Sequence, residues 1–218
     1  MKLFIASDLH GSAEYCRQMI EAFANEKADK LLLLGDILYH GPRNDLPELY
    51  NPKVVIQMLE IIKDKIICVC GNCDAEIDRE VLPFPVISDY GLIHCDGLNI
   101  YFAHGHKPEP HLLSGEVYLT GHTHVAMHGM HEGHFHLNPG SVSIPKGNSK
   151  RGYIVYENRK FVFKDLKGES YDEVEINEPQ VAEEAPQEVK ETVTEQAPAA
   201  PAAPRPHIVR RKFVVKRK

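Results

Sequence analysis

An α/β protein, two packed mixed β-sheets flanked by helices and followed by a disordered C-terminal tail, is the fold class this sequence predicts. Three observations carry that reading. Up to residue 74, short apolar runs alternate with stretches of helical spacing in a βαβαβ order, which implies parallel strands with right-handed crossovers. From residue 92 to 166 the pattern changes to short strands separated by turn residues, which implies a mostly antiparallel second half. Beyond residue 171 the composition becomes acidic, then Ala/Pro-rich, then basic.

Each element has a local reason. Residues 2–7 form an apolar strand-type run that stops at Asp8, Leu9, His10, Gly11 and Ser12. Ser12 is placed to cap a helix whose apolar positions recur at Cys16, Met19, Ile20 and Phe23. Residues 31–34 make a second buried-type strand, ended by Gly35 and Asp36. A loop rich in Gly, Pro and Asn runs from residue 38 to 50, and residues 54–62 have helical spacing. Residues 65–70 are a third strand, closed by Gly71, Asn72, Cys73 and Asp74. Residues 92–95 and 98–103 flank Asp96-Gly97, a strong hairpin signal. Residues 116–120 form a strand, 125–130 pair with 134–137, and a last hairpin joins 152–157 to 160–166 across Asn158-Arg159.

Composition bounds the class of protein. Of 218 residues, 43% are hydrophobic, enough for a sizeable core. The longest apolar runs, at 31–34 and 66–70, are far below the roughly 18 residues a membrane helix needs. Asp8 interrupts the N-terminal apolar run before a secretory segment can form. Five cysteines without framework spacing argue against a disulfide-stapled secreted domain, so a cytoplasmic protein is expected. Residues 1–171 carry 17 basic and 22 acidic side chains and are read as the globular domain. Residues 172–196 hold nine carboxylates and one lysine, residues 197–206 are almost all Ala and Pro, and residues 205–218 hold seven basic groups and no acid. Such a stretch buries too little apolar surface to offset its ordering entropy, so residues 172–218 are read as a disordered tail.

The polar residues of interest sit directly after predicted strands. Asp8 and His10 follow the first, Asp36 the second and Asn72 the third; His104 follows residue 103, and His122 and His124 follow residue 120. Ligands gather at the carboxyl ends of strands in open α/β sheets, so these residues can converge. Strand alternation would put Asp8 and His10 on one side of the chain, and likewise His122 and His124. Two carboxylates, four imidazoles and one amide suit Mn, Fe, Zn, Co or Ni better than Ca or Mg. Seven ligands exceed one tetrahedral site and fit two ions about 3.5–4 Å apart, a pair able to clamp a phosphate and activate water.

The ordered set Asp-x-His, Gly-Asp, Gly-Asn-Cys-Asp, His-Gly-His and Gly-His-Thr-His, at residues 8–10, 35–36, 71–74, 104–106 and 121–124, resembles the calcineurin-like metallophosphoesterase superfamily. More narrowly it resembles the small bacterial and archaeal phosphodiesterases, from residue 1 to about 166 and including residues 40–44 and 138–141. The resemblance implies the metallophosphoesterase αββα sandwich. It also implies two divalent ions, manganese first, with Zn, Fe, Co or Ni also compatible. It puts Asp8, His10 and His124 on one ion, Asn72, His104 and His122 on the other, and Asp36 on both, with a bridging hydroxide attacking the phosphodiester. Asp36, Asn72 and His104 then act in catalysis through the metals. Superfamily monoesterases carry His where this chain has Cys73, and a thiol with a reference pKa near 8.5 is a poor replacement as leaving-group acid. The acid stays open between a water, His106 and none.

Simpler readings cover the other candidates. Arg43 is a candidate for the substrate phosphate, through its planar fork, or a solvated loop arginine. Asp74 is read as orienting its loop, and the residues 138–141 as a turn behind the metals. His128, His131, His134 and His136 match no ligand of the family and are read as surface or edge residues, as are His40, His94 and His111. Cys68 and Cys70 are read as core packing. The rival to an enzyme is a scaffold on this fold, like the retromer subunit, or an anion- or RNA-binding protein that uses its basic tail. Intact ligands favour a phosphodiesterase that releases a monoester and an alcohol. No stable membrane insertion is expected.

Overall fold

The computed structural model describes residues 1–177. A six-stranded sheet is built around β1 (Leu3–Ala6). Parallel neighbours β2 (Lys30–Leu33) and β3 (Ile66–Cys68) lie on one side of it. On the other side run the antiparallel strands β9 (Gly152–Glu157), β10 (Lys160–Asp165) and β11 (Ser170–Glu175). The second sheet has five strands in the order β4-β5-β6-β8-β7: β4 (Tyr90–Cys95), β5 (Leu98–Ala103), β6 (Val117–Leu119), β8 (His134–Pro139) and β7 (Ala126–His131).

Alternation along β1 divides the core. Phe4 and Ala6 pack with Leu31, Leu33 and the helices α1 (Ala13–Glu26) and α2 (Pro52–Glu60). Leu3 and Ile5 face the other way, against Ile100, Val117, Leu119 and Leu137 of the second sheet. All four β1 residues are buried, as expected of a strand covered on both faces. α1 starts where Ser12 accepts a hydrogen bond from the Tyr15 N–H, and it buries Cys16, Met19 and Phe23. α2 has Pro52 in its first turn and Asn51 as cap. A short helix, α3 (Glu76–Val81), was not foreseen; the Asp78 carboxylate accepts from the Ala75 N–H at its start.

One sequence expectation is met with a local exception, and another needs correction. The second half is mostly antiparallel, as its turn spacing implies, but β5 pairs with β6, and β6 with β8, in parallel. This matters for the site: it brings the carboxyl ends of β5 and β6 to a common edge. The folded chain also continues past residue 171. Strand β11 pairs with β10, Tyr171 and Val174 pack on the inter-sheet core, and Ile176 is buried. Its exposed residues Asp172, Glu173 and Glu175 gave the segment the acidic composition of a tail, and a register shift opposite Phe163 and Lys164 breaks the alternation that would have marked it as a strand. The rest of the expected tail lies outside the described residues.

Candidate metal centre

The carboxyl ends of β1, β2, β3, β5 and β6 meet, and the seven residues singled out in the sequence come together there. The chain reaches them by turning, not by continuing as strand. Asp8 (φ 57°), His10 (φ 49°), Asp36 (φ 56°), His122 (φ 66°) and His124 (φ 61°) all hold left-handed backbone conformations. Alternation along an extended chain is therefore not what pairs Asp8 with His10, or His122 with His124. Such residues cost about 1–3 kcal/mol each and persist where surrounding structure over-determines them. Here the determinants are visible. The Asp8 and His10 N–H groups donate to Gly35 O and Asp36 O, and the hydroxyls of Ser141 and Ser143 donate to Asp8 O.

One half of the centre is formed by Asp8, His10 and His124. The Nδ1 of His10 lies 2.8 Å from Tyr39 O, and that of His124 2.8 Å from Ile144 O. A carbonyl only accepts, so each Nδ1 carries a proton and each Nε2 is turned toward Asp8. These two Nε2 atoms lie 3.2 Å apart and 3.4 and 3.2 Å from Asp8 Oδ1. That oxygen is buried without a hydrogen-bond partner among the described residues. Two imidazole nitrogens and a carboxylate oxygen converging in a buried space are the donor set of a borderline divalent cation. The residues fit the divalent ion that the resemblance implies.

The other half is formed by Asn72, His104 and His122. His104 Nδ1 donates to Leu34 O at 2.7 Å, leaving Nε2 3.0 Å from Asn72 Oδ1 and 3.3 Å from Asp36 Oδ2. The same Asn72 oxygen lies 2.6 Å from His122 Nδ1. Asp36 stands between the halves by a single oxygen. Its Oδ2 is 3.7 Å from His10 Nε2 on one side and faces His104 on the other, while Oδ1 accepts from the Cys73 N–H. Asp8 Oδ1 also reaches His104 Nε2, at 3.9 Å.

The field is that of a cation site. Burial opposes charge on Asp8, yet the imidazoles of His10 and His124 overcome it and hold the carboxyl far below its usual range. Burial likewise opposes a cationic His104, but the Asp36 and Asp8 carboxylates raise it to about 9. Burial, with Asp36 beside it, pushes the Cys73 thiol up to about 12.

A supporting layer fixes these groups. The Asp74 carboxylate accepts from the backbone N–H groups of Asp36, Ile37 and Gly71, tying the β2 and β3 loops together. Asn138 donates to Gly121 O and accepts from Gly140 N, so the residues 138–141 act as a brace. At Gly121 any Cβ would overlap Ser7 Oγ, which itself donates to Asp8 Oδ2.

An open cleft of about 720 Å³ lies over Asn72, His122 and His124, with Arg43 and Lys146 among its walls. Arg43 was legible as a candidate. Lys146 was not: its N–H donates to His124 O, so tertiary pairing alone places it here. The His106 ring lies tilted beside those of His104 and His122, at centroid distances of 5.5 and 6.2 Å. Cys68 and Cys70 are buried and free, as core packing requires. His134 departs from the surface reading, for its side chain is 2% exposed.

Comparison with known proteins agrees with this geometry. A family model described as the calcineurin-like phosphoesterase superfamily domain matches residues 1–160. Phosphodiesterase YfcE of Escherichia coli K12 is 42% identical over 162 residues, covering 72% of this chain and 88% of the relative. The solved structure of E. coli YfcE, described as a phosphoesterase, matches with a TM-score of 0.77 at 40% identity, over 81% of this chain and 100% of that one. Zinc-complexed Vps29 from Entamoeba histolytica shares the fold alone, at 17% identity and a TM-score of 0.55 over 81% of this chain and all of that one. The chain belongs to the calcineurin-like phosphoesterase superfamily. Within it, the chain is an enzyme of the YfcE-like kind, a phosphoric ester hydrolase.

Proposed function

We propose that this enzyme hydrolyses phosphodiesters to a monoester and an alcohol at a pair of divalent ions, manganese first. The observation that carries the reading is the convergence of imidazole nitrogens with carboxylate and amide oxygens in two adjoining sets. Asp8, His10 and His124 would hold one ion, Asn72, His104 and His122 the other, with Asp36 Oδ2 shared. Such a pair supplies Lewis-acid stabilisation of the phosphoryl oxygens and a nucleophile from water near neutral pH. The chain supplies the rest. Carbonyls of Tyr39, Leu34 and Ile144 fix the ring orientations of His10, His104 and His124. Arg43 and Lys146 bring positive charge to the cleft wall, where they would orient the non-bridging oxygens of the substrate.

Cys73 supports the preference for diesters. Its thiol, pushed up to about 12, is a weak acid where leaving-group protonation would be needed, so a diester with a good leaving group is favoured. With manganese-loaded protein, kcat/KM for bis(p-nitrophenyl) phosphate should exceed that for p-nitrophenyl phosphate, and Cys73→His should narrow the ratio. A wild-type preference for the monoester overturns the assignment.

The five cysteines, all free, support a reducing compartment, and we place the protein in the cytoplasm. Among the described residues no helix is long and apolar enough to cross a membrane. The seven basic groups of residues 205–218 support a separable role in binding an anionic partner such as RNA, which filter binding at low salt with and without the tail would test.

A further inference from the structure

A second cluster of metal-type donors stands away from the centre. Strands β7 and β8 are joined by Glu132-Gly133, and the last pair across that hairpin is His131 opposite His134. Directly opposed side chains in an antiparallel pair are near neighbours, and here the imidazole centroids are 5.5 Å apart. Glu109 reaches them from the loop that follows His104, with its Oε1 3.0 Å from His134 Nε2 and 3.5 Å from His131 Nδ1. One donor atom from each of the three lies within 4.8 Å of the other two.

We propose that Glu109, His131 and His134 form a peripheral site for a zinc-class divalent ion, which clasps the loop after His104 to the β7–β8 hairpin. His134 is the decisive residue. Its side chain is 2% exposed, yet its Nε2 is buried without a hydrogen-bond partner among the described residues. The Glu109 oxygen is close enough for a hydrogen bond but is not aligned as one. That is the relation of two ligands of one ion, because the ion, not the other ligand, occupies the nitrogen's lone-pair direction. A tetrahedral ion with bonds of about 2.0–2.1 Å spaces its ligands about 3.3–3.4 Å apart, between the two distances seen. Two imidazoles and a carboxylate are a zinc-type donor set, with one position left for water.

The site is held from both sides. Pro108 and Pro110 flank Glu109 and restrict its backbone, and the Tyr90 hydroxyl donates to Pro108 O at 2.6 Å. On the hairpin side, Gly115 N–H donates to Gly133 O at 2.9 Å. These contacts bring the loop and hairpin together before an ion binds, so little ordering cost falls on binding.

The test uses the full chain, stripped of metal by a chelator and titrated with zinc against a chromophoric competitor. Wild type should bind one equivalent more than His131→Ala, whose side chain is exposed and whose removal leaves the buried His134 in place. Glu109→Gln should weaken that same equivalent by tenfold or more. Both variants should keep hydrolysis of an activated diester within twofold, and zinc should raise the Tm of wild type more than that of His131→Ala. Asp36→Asn should keep the extra equivalent, so loss of the two-metal reading leaves this one standing. Identical zinc stoichiometry and affinity in wild type, His131→Ala and Glu109→Gln would overturn the proposal.

Discussion

Replacing Gly121 by Ala should damage the centre without removing any of the seven residues proposed to hold metal. A Cβ there would overlap Ser7 Oγ and lie 2.7 Å from Asp8 Oδ2 and 2.8 Å from Ser7 Cβ. Neither neighbour is free to move outward: Ser7 is 1% exposed and Asp8 fully buried, and the Ser7 hydroxyl donates to Asp8 Oδ2 at 2.7 Å. The same carboxylate oxygen accepts from the His122 N–H at 2.9 Å. Forcing a methyl into this space costs about 1–3 kcal/mol in overpacking. Breaking the hydrogen bond to the charged carboxylate adds about 1.5–3 kcal/mol. The sum, about 2.5–6 kcal/mol, corresponds to a Tm lower by roughly 5–24 °C for a domain of this size. Reorienting Asp8 should also lower manganese affinity and kcat/KM at least about tenfold, since that requires only 1.4 kcal/mol. Thermal melts by circular dichroism, metal content after dialysis and diester hydrolysis would be measured for Gly121→Ala, Ser7→Ala and the double variant. Removing Ser7 Oγ clears the worst overlap, so the double variant should be more stable than the two single costs add up to, by about 1 kcal/mol or more. A wild-type Tm and kcat/KM for Gly121→Ala, or strict additivity in the cycle, would refute the reasoning.

Three further outcomes follow from other parts of the structure. Asp36→Asn keeps an oxygen for the Cys73 N–H but removes the charge shared between the halves, so bound manganese should fall at both positions and turnover by at least about a hundredfold, with the circular dichroism spectrum unchanged; two retained ions and normal turnover would count against the shared role. Glu26 accepts from Lys164, Lys2 and Tyr153, and although burial opposes its charge, these partners hold its folded pKa below the unfolded value. Its contribution is therefore present above the unfolded pKa near 4.3 and is lost as pH falls through the folded one; the stability gap to Glu26→Gln, about 1–3 kcal/mol at pH 7 by urea melts, should close on acidification, and a gap constant from pH 7 to 3 would disprove it. Ending the chain after residue 177 should leave manganese content and kcat on a small diester within about twofold, under 1 kcal/mol of barrier, whereas ending it after residue 171 removes most of β11 and buried Ile176 and should lower Tm; equal Tm values would show that β11 adds no stability.

What local chemistry decides was legible in the sequence. Ser12 caps α1, Asp96-Gly97 turns the β4–β5 hairpin, and the apolar run before Asp8 is a buried strand, because each depends on residues a few positions apart. The seven residues of the centre were legible for a related reason. Each follows a strand, and the topology of parallel strands sends their carboxyl ends to one edge. What depends on distant partners was not. Lys146 reaches the cleft only through pairing with His124, and β11 is a strand only because β10 offers an edge and the inter-sheet core accepts Tyr171, Val174 and Ile176. His134 has the spacing of a hairpin-tip residue, yet the covering loop buries it. The sequence by itself determined which metal-type side chains exist and the order in which they follow the strands. The tertiary structure alone decided their geometry: left-handed turns at Asp8, His10, Asp36, His122 and His124, and a single Asp36 oxygen between the two halves. Such conformations are unfavourable for an isolated segment, and only hydrogen bonds from residues far away in the chain, such as Ser141 and Ser143 to Asp8 O, hold them in place.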